Sequence, residues 1–418
     1  MSGRGIRAAR RLGGAAFGLG GEGFKFARIK EARRRAVEAH PGQPLIDFGI
    51  GEDAEPADPS VVSRLAVEAG LRENRTYADC GITEFQHEAA RWMKATFGVS
   101  IDDPEGGILH GIGSKPILAC LPAAFIDPGD VSLVTVPGYP VLADWTRYLG
   151  GRVHGLPLRR ENGFFPDYGE VPESTLRKAK LLYLNYPNNP TGAAPTRALF
   201  EEAVRFASRR GILVVHDAAY AALVYGGRRP LSILSVDGAQ ECCLEVHSLS
   251  KAFSMTGWRL GFASGNPLAV RAYRAVKDNM DSGQFRAVQK AGIEALSRPQ
   301  ITRGLALKYQ RRFSLLFPAL RRLGFLPAGG EGGFYCYAPA PRAARDPATG
   351  GRAVFRSAEE ASLFLLERAL ISTVPWDEVE PSLRFSVTFE AGGEEAERRV
   401  VAEAEGRLSA LRLEFADS

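Results

Sequence analysis

Residues 242–262 read CCLEVHSLSKAFSMTGWRLGF. The run CCLEVHS (242–248) is short and apolar and closes on a serine; Lys251 follows directly, and Arg259 comes eight residues later. Three other runs have the same form: VSLVTV at 131–136, KLLYLNY at 180–186 and GILVVHD at 211–217. Each ends in a polar or turn residue, and helical patterns lie between them, as at 196–210. Continuous apolar strands that alternate with helices predict an α/β fold built on a mostly parallel sheet, flanked by helices and buried on both faces. In such sheets ligands bind at the carboxyl ends of the strands. Chemistry is therefore expected in the residues just after these runs.

Outward from this centre the texture changes. Residues 24–40, FKFARIKEARRRAVEAH, have the spacing of an amphipathic helix, and QPLIDFGIG (43–51) reads as a strand running into a glycine turn. After about residue 285 a long helical region (286–323) is followed by GGFYCYAPA, a loop rich in Pro, Gly and Arg (339–353), a helix, SLRFSVTF and a charged helix at 393–412. This predicts a smaller α+β domain. The division expected is an N-terminal arm and helix packing on the small domain (1–45), a large domain (46–285) and the small C-terminal domain (286–418). A chain of 418 residues is long enough for two cores.

Composition narrows the function classes. The formal net charge is +5, with arginines interspersed among acids, so no nucleic-acid surface is expected. No apolar run approaches membrane-spanning length. The five cysteines (Cys80, Cys120, Cys242, Cys243, Cys336) form no CxxC pair, which argues against a disulfide framework or a metal site and for a reducing cytoplasm. The opening MSGRGIRAARRLGGAAFGLGG (1–21) has an apolar stretch too short and glycine-broken for a signal segment, and reads as a flexible arm.

Four segments carry polar groups where ligands are expected: GIGSKP (111–116) opening a helix, NYPNNPTG (185–192), HDAAY (216–220) and SLSK (248–251). Singly, each has an ordinary explanation in turn chemistry, helix capping or a solvated lysine. Together, on adjoining strand ends, they fit one cofactor, pyridoxal phosphate. It needs an amine for its aldehyde, a carboxylate for its pyridine nitrogen, donors for its phenolic oxygen and an anion cradle. Lys251 supplies the amine and Asp217 the carboxylate. Asn189 and Tyr220 can donate to the phenolic oxygen. Gly113, Ser114 and Lys115 offer backbone N–H groups at a helix start. Ser248 and Arg259 add a hydroxyl and a forked cation for the phosphate. Arginine could not replace Lys251, because it stays protonated and forms no such bond.

NNPTG, DAAY and SLSKAFSMTGWRLGF, in this order and spacing, resemble the class I/II, fold type I pyridoxal-phosphate aminotransferases from about Ile46 to Phe389. The resemblance implies a homodimer with shared active sites, acting on a small amino acid and a 2-oxo acid. It adds Tyr139 in PGYP as the aromatic stacked on the cofactor ring, and Tyr77 in RTYADCG as a hydroxyl reaching the partner subunit's phosphate. It places Gly51 beside the substrate carboxylate, with Arg384 in LRFS binding that carboxylate at two points. The competing explanation for Tyr77 and Tyr139 is core packing, and for Arg384 a surface ion pair. Lys251 would also act as the general base at the α-carbon.

Within the family, ENRTYADCGITEF (73–85), GIGSKPILACLPAAFIDPGD (111–130), VPGYPV (136–141) and VKDNMDSGQFRAVQKAGIEAL (276–296) resemble the branch acting on LL-2,6-diaminopimelate, whose keto product cyclises to tetrahydrodipicolinate in lysine biosynthesis. Leu142 stands where relatives often carry an aromatic, and GEDAEP (51–56) departs from a GDP-like continuation. Glu52, Asp53 and Glu55 follow Gly51, and one of them is expected to meet a distant ammonium; a solvated acidic loop is the competing explanation. Another amino donor (aspartate, alanine or aromatic), or a lyase or oxidase on the same fold, remains the alternative.

Overall fold

The computed structural model describes residues 6–14, 17, 25–346 and 349–416, with backbone alone at 25–30. Most of the arm expected at 1–21 lies outside the described residues; within it Arg10–Leu12 form a single 3-10 turn.

β1 (Ile46–Asp47) is a two-residue strand rather than the longer one that QPLIDFGIG suggests, because Gly49 and Gly51 end the extended pattern. The central sheet contains β2 (Ile108–Gly111), β3 (Val131–Val136), β4 (Arg152–Pro157), β5 (Ala179–Asn185), β6 (Leu213–Asp217), β7 (Cys243–Ser248) and β8 (Gly261–Gly265). Their order is β2-β8-β7-β6-β5-β3-β4. The run β4-β3-β5-β6-β7 is parallel throughout, and β8 runs against both its neighbours. The sheet is thus mostly parallel, as expected. The four apolar runs became β3, β5, β6 and β7. Sequence patterning missed β2, β4 and β8; the last, GFASG, holds small residues that carry little strand propensity.

Both faces of the sheet are buried. Leu181, Tyr183, Leu213, Val215, Leu244 and Val246 pack into one apolar cluster. The intervening Leu182, Leu184, Val214 and Cys243 pack into the other. This alternation assigns a face to every residue at the strand ends. Asp217 shares the face of Leu213 and Val215. His216, Glu245 and His247 share the opposite one.

A second sheet, with its own apolar cluster, is antiparallel. It joins β9 (Ala328–Gly329), β10 (Tyr335–Pro339), β14 (Val374–Trp376) and β15 (Ser382–Ser386) in the order β14-β15-β10-β9. The stretch read as a loop at 339–353 instead holds a small hairpin, β11 (Ala343–Arg345) with β12 (Arg352–Val354). Alanine and arginine give no strand signal there, and Arg352 is tied to Glu414 of the C-terminal tail at 2.7 Å. β13 (Ile371–Ser372) pairs in parallel with β1.

The helical region 286–323 is two helices, Arg286–Leu296 and Pro299–Arg322. Pro299 disfavours helical geometry at the preceding residue, and Arg298 adopts φ −115°, ψ 78°. The helix Lys25–Ala39 sets Ala32 and Ala36 against Leu366 and Leu370 near the end of the helix Ala358–Ala369.

Candidate active site

The ends of β5, β6 and β7 lie side by side and open into a cavity of about 590 Å³. Lining it are Gly51, Ser114, Lys115, Tyr139, Asn189, Asp217, Tyr220, Ser248, Lys251, Arg259 and Arg384. Gly113 abuts Arg259 at its edge. Of the sequence-predicted residues, Tyr77 alone stands apart. It is 79% exposed, which excludes core packing, and its carbonyl accepts from Arg286 Nη2 at 3.1 Å.

Lys251 belongs to the short helix Leu249–Ala252, which starts where β7 ends. Ser248 caps that helix, its Oγ accepting from the Ser250 N–H at 3.2 Å. The Lys251 amine donates to the Gly51 carbonyl at 2.5 Å and lies 5.7 Å from the Phe334 ring centroid. Burial pushes its pKa down to about 8; Glu52 opposes this, and the charges of Arg259 and Arg384 add to it.

Asp217 is buried at the end of β6, where it lines the cavity. It accepts from Tyr183 OH at 3.1 Å and from the Ala219 N–H at 3.3 Å. Burial raises its pKa, and these donors only partly offset that. Asn185 holds the neighbouring loop: its Nδ2 donates to the Asp217 carbonyl at 2.9 Å and its Oδ1 accepts from the Asn189 N–H at 2.8 Å. Tyr220 is buried with its hydroxyl 3.5 Å from Tyr335 OH.

Two guanidiniums face the cavity, and among the described residues neither is paired with a carboxylate. Arg259 lies against Gly113, which adopts φ +79° at the start of the helix Ser114–Phe125. A Cβ at 113 would overlap the guanidinium, so this close approach requires glycine. Arg384 is buried, not the surface ion pair that the sequence left open. It donates to Asn189 Oδ1 and the Gly49 carbonyl, both at 2.8 Å, and stacks 4.0 Å from the Tyr335 ring centroid. Its Nε has no hydrogen-bond partner among the described residues. Its strand neighbours Leu383 and Phe385 point into the core, as the alternation predicts.

The acidic residues after Gly51 divide. Asp53 receives Ser254 Oγ at 2.5 Å and Lys308 Nζ at 2.9 Å. Glu55 lies 3.1 Å from Lys308 and 3.9 Å from Arg312. Both are committed to internal cations. Glu52 makes no ion pair at this range among the described residues, and its charge acts on Lys251.

Sequence reasoning missed several cavity residues: Tyr335, Trp376, Glu378, Asp144, Asn185 and Ser250. Ser250 carried a signal in the alternation of SLSK. Tyr335, flanked by apolar residues, looked like ordinary core.

A lysine beside a buried carboxylate, with two uncompensated guanidiniums at a strand-end cavity, fits a ligand that carries an aldehyde, a basic ring nitrogen and an anionic group. That is the chemistry of a pyridoxal-phosphate-dependent transferase. The sequence profile of the family described as aminotransferase class I and II matches residues 43–404. The chain is 46% identical over 415 residues to an LL-diaminopimelate aminotransferase of Methanocaldococcus jannaschii, covering 97% of this chain and 98% of that one. It is likewise 46% identical over 412 residues to an LL-diaminopimelate aminotransferase of Methanococcus maripaludis, covering 97% and 98%. Among solved structures, substrate-bound BacF from Bacillus subtilis superposes with a TM-score of 0.83 at 29% identity, covering 94% of this chain and 95% of that one. The chain belongs to the class I and II aminotransferases, and is a pyridoxal-phosphate-dependent transaminase acting on small amino and 2-oxo acids.

Proposed function

We propose that this chain transfers the amino group of LL-2,6-diaminopimelate to 2-oxoglutarate, giving glutamate and a keto acid that cyclises to tetrahydrodipicolinate. The carrying observation is the 46% identity to a diaminopimelate aminotransferase across 97% of the chain. Glu52, the acid of the 51–56 loop left without an ion pair among the described residues, gives this reading a candidate group for the distal ammonium.

The residues divide the work as follows. When bound, pyridoxal phosphate supplies an aldehyde for amines and a ring that withdraws electrons. Lys251 would hold the aldehyde and, neutral after release, move the proton from the substrate α-carbon. Asp217 would keep the ring nitrogen protonated. Asn189 has its Oδ1 occupied by Arg384, so its amide N–H groups are free to donate to the phenolic oxygen, as is Tyr220. Arg259, Ser248 and the N–H groups of Gly113, Ser114 and Lys115 would hold the phosphate, with Tyr139 over the ring. Arg384, beside Gly51, would take the α-carboxylate.

The same proposal includes a homodimer in which Tyr77, exposed and outside the lining of its own cavity, would reach the partner subunit's phosphate. The domain division at residues 45 and 285 belongs to it as well. So does a cytoplasmic location, supported by five free cysteines; no described helix is long and apolar enough to cross a membrane. Sedimentation should show a dimer, and a fully active monomer would contradict shared sites.

The substrate test is glutamate formation from 2-oxoglutarate. LL-diaminopimelate should be the preferred donor over aspartate, alanine and aromatic amino acids. In Glu52→Gln its KM should rise about tenfold, the loss of one partly solvated charge contact, with the KM for 2-oxoglutarate little changed. Faster turnover of aspartate, or an unchanged donor KM, would count against the reading.

A further inference from the structure

Behind the cavity, on the opposite face of the central sheet, lies a polar cluster that the proposed chemistry does not use. Glu245 on β7 is wholly buried and meets four polar partners. Its Oε1 accepts from Ser232 Oγ and faces His247 Nε2, both at 2.7 Å. Its Oε2 accepts from the Ile233 N–H at 2.9 Å and faces His216 Nδ1 at 2.8 Å. His216 is also wholly buried, edge-on to the Phe200 ring with centroids 4.8 Å apart. Its Nε2 lies 3.0 Å from the Tyr186 carbonyl.

The hydrogen-bond partners favour one protonation state. A carbonyl only accepts, so His216 Nε2 carries a proton. A carboxylate with donors on both oxygens is best satisfied as an anion, and Nδ1 facing it then carries a proton too. We propose that His216 is held as an imidazolium by its ion pair with Glu245, and that it acts as a positioning residue for the cofactor site. Its place in the fold gives it that reach. It directly precedes Asp217 and holds the Tyr186 carbonyl at the root of the loop that carries Asn189. A fixed positive charge one residue from Asp217 favours the ionised carboxylate, which the ring nitrogen needs. Burial alone would raise the Glu245 carboxyl; His247 and His216 outweigh it and hold that carboxyl well below the usual range.

The other groups near Asp217 act differently, except His247. Tyr183, Tyr139 and Tyr220 remain neutral phenols, their pKa values raised by burial. On the cavity side stand Lys251, whose proton burial loosens, and the guanidiniums of Arg259 and Arg384. His247, next to Ser248, also faces Glu245 and bears on the Asp217 carboxyl in the same direction as His216.

The consequence for the cofactor rests on Asp217 being the pyridine partner, but the protonation state of His216 does not. The test uses protein with 15N-labelled histidine, with and without pyridoxal phosphate, and His216→Asn to assign the signal. His216 should show two protonated nitrogens, and Glu245→Gln should leave one. With 15N-labelled pyridoxal phosphate, the ring nitrogen should be protonated at pH 8 in the parent protein and lose protonation in Glu245→Gln, its midpoint falling by about one pH unit. One protonated nitrogen on His216 in the parent protein overturns the proposal. So does a neutral His216 in Glu245→Gln with the ring nitrogen unchanged. The measurement without cofactor decides the first point even if the cofactor reading fails.

Discussion

The Lys251 amine has lost most of its water and feels two guanidiniums, so its proton is held loosely, with a pKa near 8. Only the neutral amine attacks an aldehyde. The rate at which cofactor-free protein captures pyridoxal phosphate should therefore rise with pH, with a midpoint near 8. Glu52 raises the lysine pKa, so Glu52→Gln should move this midpoint to lower pH by up to about one unit. A capture rate that is flat across the range, or a midpoint moved upward in the variant, would contradict the assignment. Arg384 offers a forked charge already aligned by Asn189 and Gly49. Lys at this position could not reproduce two-point binding, so Arg384→Lys should lower kcat/KM by about a hundredfold for amino donor and 2-oxo acid alike. Lys251, Asp217, Asn189 and Arg259 were legible in the sequence because the chemistry admits few other residues there. Tyr335, Tyr183 and Asn185 were not. Each looks like an ordinary strand residue until the fold turns it toward the site.

At the level of elements, the helix Pro299–Arg322 anchors the second sheet through Arg312, a side chain only 1% exposed. Its guanidinium meets Glu397 at 2.8 Å and the carbonyls of Val387 and Phe389 at 2.9 and 2.7 Å. These carbonyls follow β15, the strand that presents Arg384. Arg312→Met would leave the carbonyls of Val387 and Phe389 without this donor and Glu397 with Arg311 alone, so chemical denaturation should show a loss of about 2–3 kcal/mol. A loss below about 1 kcal/mol would place the anchor elsewhere. The strands of the central sheet were readable where both faces are apolar, as in β5 and β6. They were unreadable where small residues serve close packing, as in β8. The break at Pro299 was written in the sequence, but the hairpin of β11 and β12 was not, since its pairing depends on the distant Glu414 tail.

For the whole molecule, the sheet order sets Asn185, Asp217 and Ser248 side by side, and residues from the second sheet close the cavity over them. Residues as far apart as Gly51 and Arg384 meet there, which no local pattern could show. On the proposed function, this cavity takes LL-diaminopimelate as amino donor. The most direct test is the first half-reaction, with no acceptor present, followed by the visible absorption band of protein-bound pyridoxal phosphate. LL-Diaminopimelate should bleach that band, while aspartate and alanine at the same concentration leave it largely intact. Bleaching by aspartate with no response to LL-diaminopimelate would contradict the claim.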